Sequence, residues 1–159
     1  MKVRVREMTE ADLPETAALE AEIFSDPWSE TGLHQTLAGR PTLAFVAEAD
    51  GQMAGYFLGM QLFEEAEVYR IAVKPSQRQQ GIGRRLMEAF LEESAARGAE
   101  VWRLEVRAGN MAARALYESL GFAAEGIRKH YYHNPEEDAL CMLRQTGNNS
   151  PLEFAENGL

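Results

Sequence analysis

The chain has 159 residues, 45% of them apolar, which suits one globular domain with its own core, since domains run from about 50 to 250 residues. Its 25 acidic against 16 basic residues give a formal charge of -9, which argues against direct nucleic-acid binding and is compatible with a cationic partner. A single cysteine, Cys141, excludes an internal disulfide and a Cys-rich metal site, and neither a signal peptide nor an apolar run of about 18 residues is present, so a cytoplasmic protein without a membrane partner is expected.

Residues 3–6, "VRVR", alternate as a half-buried strand does. Thr9 with Asp12 three residues on has the form of a capping box, with Asp12 where Glu is preferred, and opens a helix over about 10–24. "SDPWSETGLHQTL" holds a Pro-marked turn and a second N-cap candidate, Ser29, ahead of a short helix carrying Leu33 and Leu37. "LAFVAEADGQMAGYFLGM" is two apolar runs hinged at Asp50-Gly51, a pair favoured in type I′ hairpin turns because both central residues need positive φ. A strand over 68–73 ends at Lys74-Pro75 and runs into "SQRQQGIGRRLM". Ile82, Leu86, Ala89 and Phe90 then hold one helical face until Gly98 supplies a stop.

In "VWRLEVR", residues 101–107, Trp102, Leu104 and Val106 share a core face while Arg103, Glu105 and Arg107 share a wet one. Asn110 can cap a helix through "MAARALYESLG", with Leu116 and Leu120 inward and Gly121 closing it. A strand starts at Phe122, a turn falls near "HNPEED", and a last strand lies at about 139–143. The final "QTGNNSPLEFAENGL" has no period and is expected to be a flexible tail over 145–159, behind one domain at 1–144. The order β-α-α-β-β-β-α-β-α-β-β implies a mixed α/β sheet.

Gly81 and Gly83 stand where a helix begins. A helix N-terminus leaves four N–H groups unpaired and carries partial positive charge, and glycine lets an anion reach them. Arg78, Arg84 and Arg85 add formal charge nearby. The stretch is either a phosphate or pyrophosphate cradle or an ordinary strand-to-helix turn with a solvated basic patch. It is neither a Walker loop, since Arg84-Arg85 follows Gly83, nor a dinucleotide fingerprint, since Leu86 stands where a third glycine belongs.

The spacing Arg78-x-x-Gly81-x-Gly83 resembles the signature of the GNAT superfamily of acyl-CoA-dependent N-acetyltransferases: Gln or Arg, two residues, Gly, one residue, Gly or Ala. "LEVRAGNMAARALYESLGF" at 104–122, "GIRKHYYHNPEEDALCM" at 126–142 and "PWSETGL" near the start resemble, within it, the bacterial ribosomal-protein alanine N-acetyltransferases. The likeness spans about residues 1–144; Lys74, where the family commonly has an acidic residue, and the tail depart from it. It implies the GNAT acyl-CoA N-acyltransferase fold, acetyl-CoA as acetyl donor, and a protein or peptide N-terminus as acceptor, in this subgroup the alanine of a small-subunit ribosomal protein. By position, it implies that Ile71, Ala72 and Val73 pair with the pantetheine arm. It likewise implies that Arg78, Gln79, Gln80, Gly81, Ile82, Gly83 and Arg84 hold the pyrophosphate, and that Asn110 contacts the cofactor. Glu105 matches the general base and Tyr117 the general acid.

The chemistry needs both. An α-amine has a reference pKa of about 7.7 to 8.0, so near neutral pH a base must free it before it attacks a thioester. A donor must then meet the departing CoA sulfur, and a backbone N–H from the strand ending at Val73 can serve the carbonyl oxygen. On the residues alone, Glu105 is as readily an exposed carboxylate paired with Arg103 or Arg107, and Tyr117 a partly buried aromatic with an exposed hydroxyl; the resemblance reverses that order. Cys141 falls on a late strand with no evident base beside it, so transfer is expected to be direct, without an acyl-enzyme. His34, His130 and His133 lack metal-ligand spacing, and no metal is expected. Tyr131 and Tyr132 either wall a peptide groove or pack, and Glu136, Glu137 and Asp138 either draw a cationic peptide or form a solvated turn. Rival acceptors are lysine, a polyamine, an antibiotic or another small amine, and a non-catalytic acyl-CoA sensor is the rival from another class.

Overall fold

Strand alternation leaves the central sheet apolar on both faces, and the helices divide between them. The computed structural model describes residues 2–147. Strands β1 (Val3–Glu7), β2 (Thr42–Ala49), β3 (Gln52–Leu62), β4 (Glu65–Val73), β5 (Val101–Arg107), β6 (Ala123–Tyr132) and β7 (Glu137–Gln145) form one sheet, in the order β1-β2-β3-β4-β5-β7-β6. Helices are α1 (Leu13–Ile23), α2 (Glu30–Ala38), α3 (Ile82–Ala96) and α4 (Met111–Ser119). The mixed α/β sheet and the expected element order are both present, with short 3-10 turns added at Glu10–Asp12 and Pro75–Gln77. No helix among the described residues is long and apolar enough to cross a membrane.

On one face, Phe45, Phe57, Trp102, Leu104 and Met142 pack beneath Ile82, Leu86 and Phe90 of α3, with Tyr117 of α4 beside them. Phe57 and Phe90 stack with ring centres 4.3 Å apart. On the other face, Val46, Tyr56, Leu58 and Ala72 meet Leu13 and Leu19 of α1 and Leu33 of α2. Each such buried side chain contributes about 1.5–3 kcal/mol, which fixes the helices to their faces.

Local signals set the boundaries. Asp12 Oδ2 accepts from the Thr9 N–H at 2.8 Å, and the helix expected over 10–24 divides there into a 3-10 turn and α1. Ser29 Oγ accepts from the Gly32 N–H at 3.0 Å to start α2. Asp50 and Gly51 take φ of 51° and 83°, as the hairpin turn requires. Asn110 Oδ1 accepts from the Ala113 N–H at 3.1 Å to start α4. The last strand is longer than expected because β5 pairs with β7 out to Val101↔Gln145. Gln145 therefore ends β7, and of the tail expected at 145–159, residues 148–159 lie outside the described residues.

One irregularity makes room for a site. All neighbouring strands are antiparallel except β4 and β5, which are parallel and pair only from Glu65↔Val101 to Glu67↔Arg103. Just beyond, Leu58 of β3 pairs with Arg70 and Gly59 with Val68, so Tyr69 is an extra residue, a bulge that bends β4. Gly59 is needed at this approach, since a Cβ there would lie 2.6 Å from the Glu67 carbonyl oxygen. Past the bulge, the edge of β4 that faces β5 has no ladder partner among the described residues, while β5 stays bound to β7. The two strands splay into a wedge.

Candidate active site

At one end of the wedge, Ile71, Ala72 and Val73 finish β4 and the chain turns through Arg78, Gln79 and Gln80 into α3. Gly81 is the N-cap of α3 at φ 77°, left-handed backbone that favours glycine. The first helical bond runs from the Arg85 N–H to the Gly81 carbonyl at 3.1 Å, so the N–H groups of Ile82, Gly83 and Arg84 precede it and have no partner within the helix. A Cβ on Gly81 would meet nothing within 4 Å, so the space beside the N-cap is open. Gly83 sits against Leu116 and Val73, where a Cβ would make contacts of 3.6 and 3.9 Å. The arginines are held by the protein itself. Arg78 Nε donates to the Val73 carbonyl at 3.1 Å, Arg84 donates to Ser119 Oγ, and Arg85 donates to the Val3 carbonyl at 3.0 Å. Asn110 follows the C-terminal end of β5, with its Oδ1 engaged in capping α4.

At the other end lies Glu105, which alternation turns away from Trp102, Leu104 and Val106. Its ion-pair partner is neither Arg103 nor Arg107: Arg103 pairs with Glu65 at 2.7 Å, and Arg107 with Glu137 at 3.3 Å. Instead, Arg128 Nε approaches Glu105 Oε2 at 2.6 Å and the Tyr131 hydroxyl donates to Oε1 at 3.1 Å. The expectation that Cys141 has no base beside it is corrected. Glu105 and Cys141 are directly opposite in the β5–β7 register, and Cys141 Sγ stands 3.9 Å from Glu105 Oε2.

Further groups feel the same charge. Burial, and then the Glu105 carboxylate, push the Glu67 carboxyl above its usual range. Burial and Glu105 likewise raise the Tyr131 hydroxyl. Tyr132 is raised by burial first, with Glu105, Tyr131 and Tyr117 contributing and Arg107 opposing. Tyr117 is only 5% exposed, with its ring edge-on to Phe122 at 6.1 Å, and burial pushes its hydroxyl up to about 12. The helix is rolled so that 117, rather than 116, is its most buried position, which explains the departure from an exposed hydroxyl.

The acidic turn is engaged locally. Glu136 meets His130 Nδ1 at 2.9 Å, Glu137 accepts from the Gly109 N–H at 2.6 Å, and Asp138 accepts from the His130 N–H at 2.9 Å. Among the described residues, no group of His, Cys, Asp and Glu is arranged to hold a metal.

Residues 9–122 match the Acetyltransferase (GNAT) family. The chain belongs to the GNAT acetyltransferase family. It is 40% identical over 133 residues to the [ribosomal protein bS18]-alanine N-acetyltransferase of Escherichia coli (strain K12), covering 82% of this chain and 89% of that one. It is 39% identical over 154 residues to the N-alpha-acetyltransferase RimI of Mycobacterium tuberculosis (strain ATCC 25618 / H37Rv), covering 93% and 96%. The fold superposes on the crystal structure of the ribosomal-protein-S18-alanine N-acetyltransferase from Escherichia coli with a TM-score of 0.84 at 36% identity, over 91% of this chain and 94% of that one. As a GNAT N-acetyltransferase, the protein uses acetyl-CoA as its acetyl donor.

Arg128 and Glu67 were not singled out in the sequence. Arg128 reaches Glu105 only through the order β5-β7-β6, and Glu67 only through the short parallel pairing of β4 with β5. Neither arrangement has a local signal.

Proposed function

We propose that this GNAT acetylates a protein's amino terminus, specifically the alanine that begins a small-subunit ribosomal protein, with Glu105 as general base and Tyr117 as general acid. One observation carries the mechanism: the wedge between β4 and β5 has a strand edge without a ladder partner and helix amides unpaired within α3 at one end, and Glu105 at the other. The acceptor follows from the names of the relatives at about 40% identity over most of the chain.

The residues suit the donor. The N–H groups of Ile82, Gly83 and Arg84 have no partner within the helix, stand at its positive end beside the open N-cap glycine, and would hold a pyrophosphate, with Arg78, Gln79 and Gln80 around it. The edge formed by Ile71, Ala72 and Val73, which has no strand partner and whose Val73 carbonyl is met by Arg78 Nε, would pair through its remaining groups with the amides of the pantetheine arm, with Asn110 alongside. A backbone N–H at this end of β4 would meet the developing carbonyl oxyanion.

Glu105 takes the proton from the ammonium, directly or through a water, while Arg128 and Tyr131 hold its two oxygens. The freed amine attacks the thioester carbon, so an N–C bond forms as the C–S bond breaks. Tyr117 answers the sulfur. Burial keeps its hydroxyl protonated at neutral pH, and among the described residues it has no hydrogen-bond partner that would compete. With its hydroxyl near 12 against about 8.5 for a thiol, transfer to a fully formed thiolate alone is uphill, so Tyr117 gives its proton to the sulfur only as it regains the second proton that the acylated nitrogen sheds, and CoA leaves as the thiol. The test is CoA release with peptides whose amino termini are free or blocked. Activity requiring a free terminal alanine supports the proposal, and activity confined to lysine, polyamines, antibiotics or other small amines overturns the ribosomal acceptor. Acetyl-CoA binding without transfer to any amine would make the protein a sensor.

A further inference from the structure

A second cluster of charge lies on the α1/α2 face, and the transfer chemistry does not use it. Glu20 of α1 is fully buried, and the Tyr56 hydroxyl donates to its Oε2. Arg70 of β4 pairs with Glu20, Nη2 to Oε1 at 3.2 Å and Nε to Oε2 at 3.3 Å. Such a cluster is a poor stabilising device, because desolvating two charges offsets most of their attraction and apolar replacements often serve as well. Its remaining bonds all run to the connection between α1 and α2. The Trp28 N–H donates to Glu20 Oε1 at 2.9 Å, and Arg70 Nη2 donates to the Asp26 carbonyl at 2.8 Å. The Arg70 guanidinium also lies 4.0 Å from the centre of the Phe24 ring and 5.6 Å from that of Trp28.

The segment so held borders the wedge. Trp28 packs on Tyr69, the bulge residue next to Arg70, at 6.2 Å. Tyr69 feels the charge of Glu67, and Glu67 feels that of Glu105. At its other end, Ser25 Oγ donates to the His133 carbonyl at 3.3 Å, in the β6–β7 turn, and that carbonyl is also held by Arg107. Residues 24–28 thus bridge the bulge of β4 and the β6–β7 turn.

We infer that Arg70 and Glu20 are positioning residues for the acceptor: together they pin residues 24–28 as one wall of the entrance through which a peptide's first residues reach Glu105. The inference rests on the peptide-acceptor reading above. Arg70 touches neither reacting group, so losing it should weaken acceptor binding equally in ground and transition states, raising KM without lowering kcat.

The experiment combines steady-state kinetics on a basic peptide with a free amino-terminal alanine and amide hydrogen exchange of Arg70→Met. The expected result is an acceptor KM raised about tenfold, with kcat and the acetyl-CoA KM within about twofold, partial recovery in Arg70→Lys, and faster exchange confined to residues 24–29. An unchanged acceptor KM, or an acetyl-CoA KM that rises in parallel, overturns the inference. If Arg70→Met does not fold, the variant combining Glu20→Gln with Arg70→Met removes both buried charges and is judged by the same numbers. If the wild type acetylates no peptide, the acceptor reading falls, and exchange alone then decides whether Arg70 pins the segment. Faster exchange at 24–29 retains the clamp, and unchanged exchange overturns it.

Discussion

Replacing Tyr117 by Phe removes one oxygen and leaves the ring against Phe122, so it isolates the hydroxyl. Its folded pKa of about 12 stands some two units above the ordinary tyrosine value near 10. The folded value is raised, so the associated stability is whole below pH 10 and is lost as pH rises from 10 to 12, where the unfolded chain ionises first. At full extent the loss is about 2–3 kcal/mol, and half-way, at pH 11, it is about 1.4 kcal/mol. Urea unfolding of wild type and Tyr117→Phe at pH 8 and pH 11 should therefore show the variant gaining about 1.4 kcal/mol on the wild type over that interval. The same variant should lose about 10²-fold in kcat while keeping its acetyl-CoA affinity, because only the departing sulfur loses a partner. Parallel alkaline losses would refute the buried phenol. Unchanged kcat with chemistry rate-limiting would refute its role as donor.

Glu105→Gln should lower kcat by about 10²- to 10⁴-fold, most strongly at low pH where the amine stays protonated, and spare acetyl-CoA binding; an unchanged pH–rate profile removes Glu105 from the mechanism. Gly81→Val places a branched side chain in the open space beside the N-cap of α3 and at positive φ, so calorimetry should show weakened CoA binding, with about 1–2 kcal/mol lost in stability from backbone strain. Undiminished CoA affinity would end the cradle. Glu67→Gln should be more stable than wild type at neutral pH, because the raised carboxyl is penalised when charged. That advantage should fade as pH falls from above the raised folded value down to the ordinary carboxyl range, and thermal unfolding at pH 7 and pH 4 checks the sign.

The parts of the fold that local chemistry controls could be read from the chain. Ser29 and Asn110 cap helices with their own oxygens, Asp50-Gly51 turns a hairpin with its own φ angles, and Ile82, Leu86 and Phe90 bury one face of α3. What could not be read is set by pairing between distant strands. The wedge depends on a bulge at Tyr69, a residue whose neighbours look like ordinary strand. The partners of Glu105 depend on register, which brings Arg128 and Cys141 to it and sends Arg103 and Arg107 elsewhere. Glu20 is one acid among several on α1, and its burial is explained only by Tyr56 and Arg70, 36 and 50 residues away. In α4, Leu116 and Leu120 carry the helical period, yet both are half-buried while Tyr117 fills the core.

Register also explains how one carboxylate can be both held and available. Arg128 meets Glu105 at 2.6 Å, yet its side chain is 63% exposed, so solvent screens the pair. A guanidinium so placed orients the carboxylate without locking it. On the proposed mechanism an arriving ammonium, drawn to the same oxygens and to Glu67, would replace one cation by another. The backbone of Glu105 is fixed by the β5–β7 ladder opposite Cys141, whatever meets its carboxylate. On the proposed mechanism the carboxylate would keep its place while its partner changes, as a base serving many turnovers must.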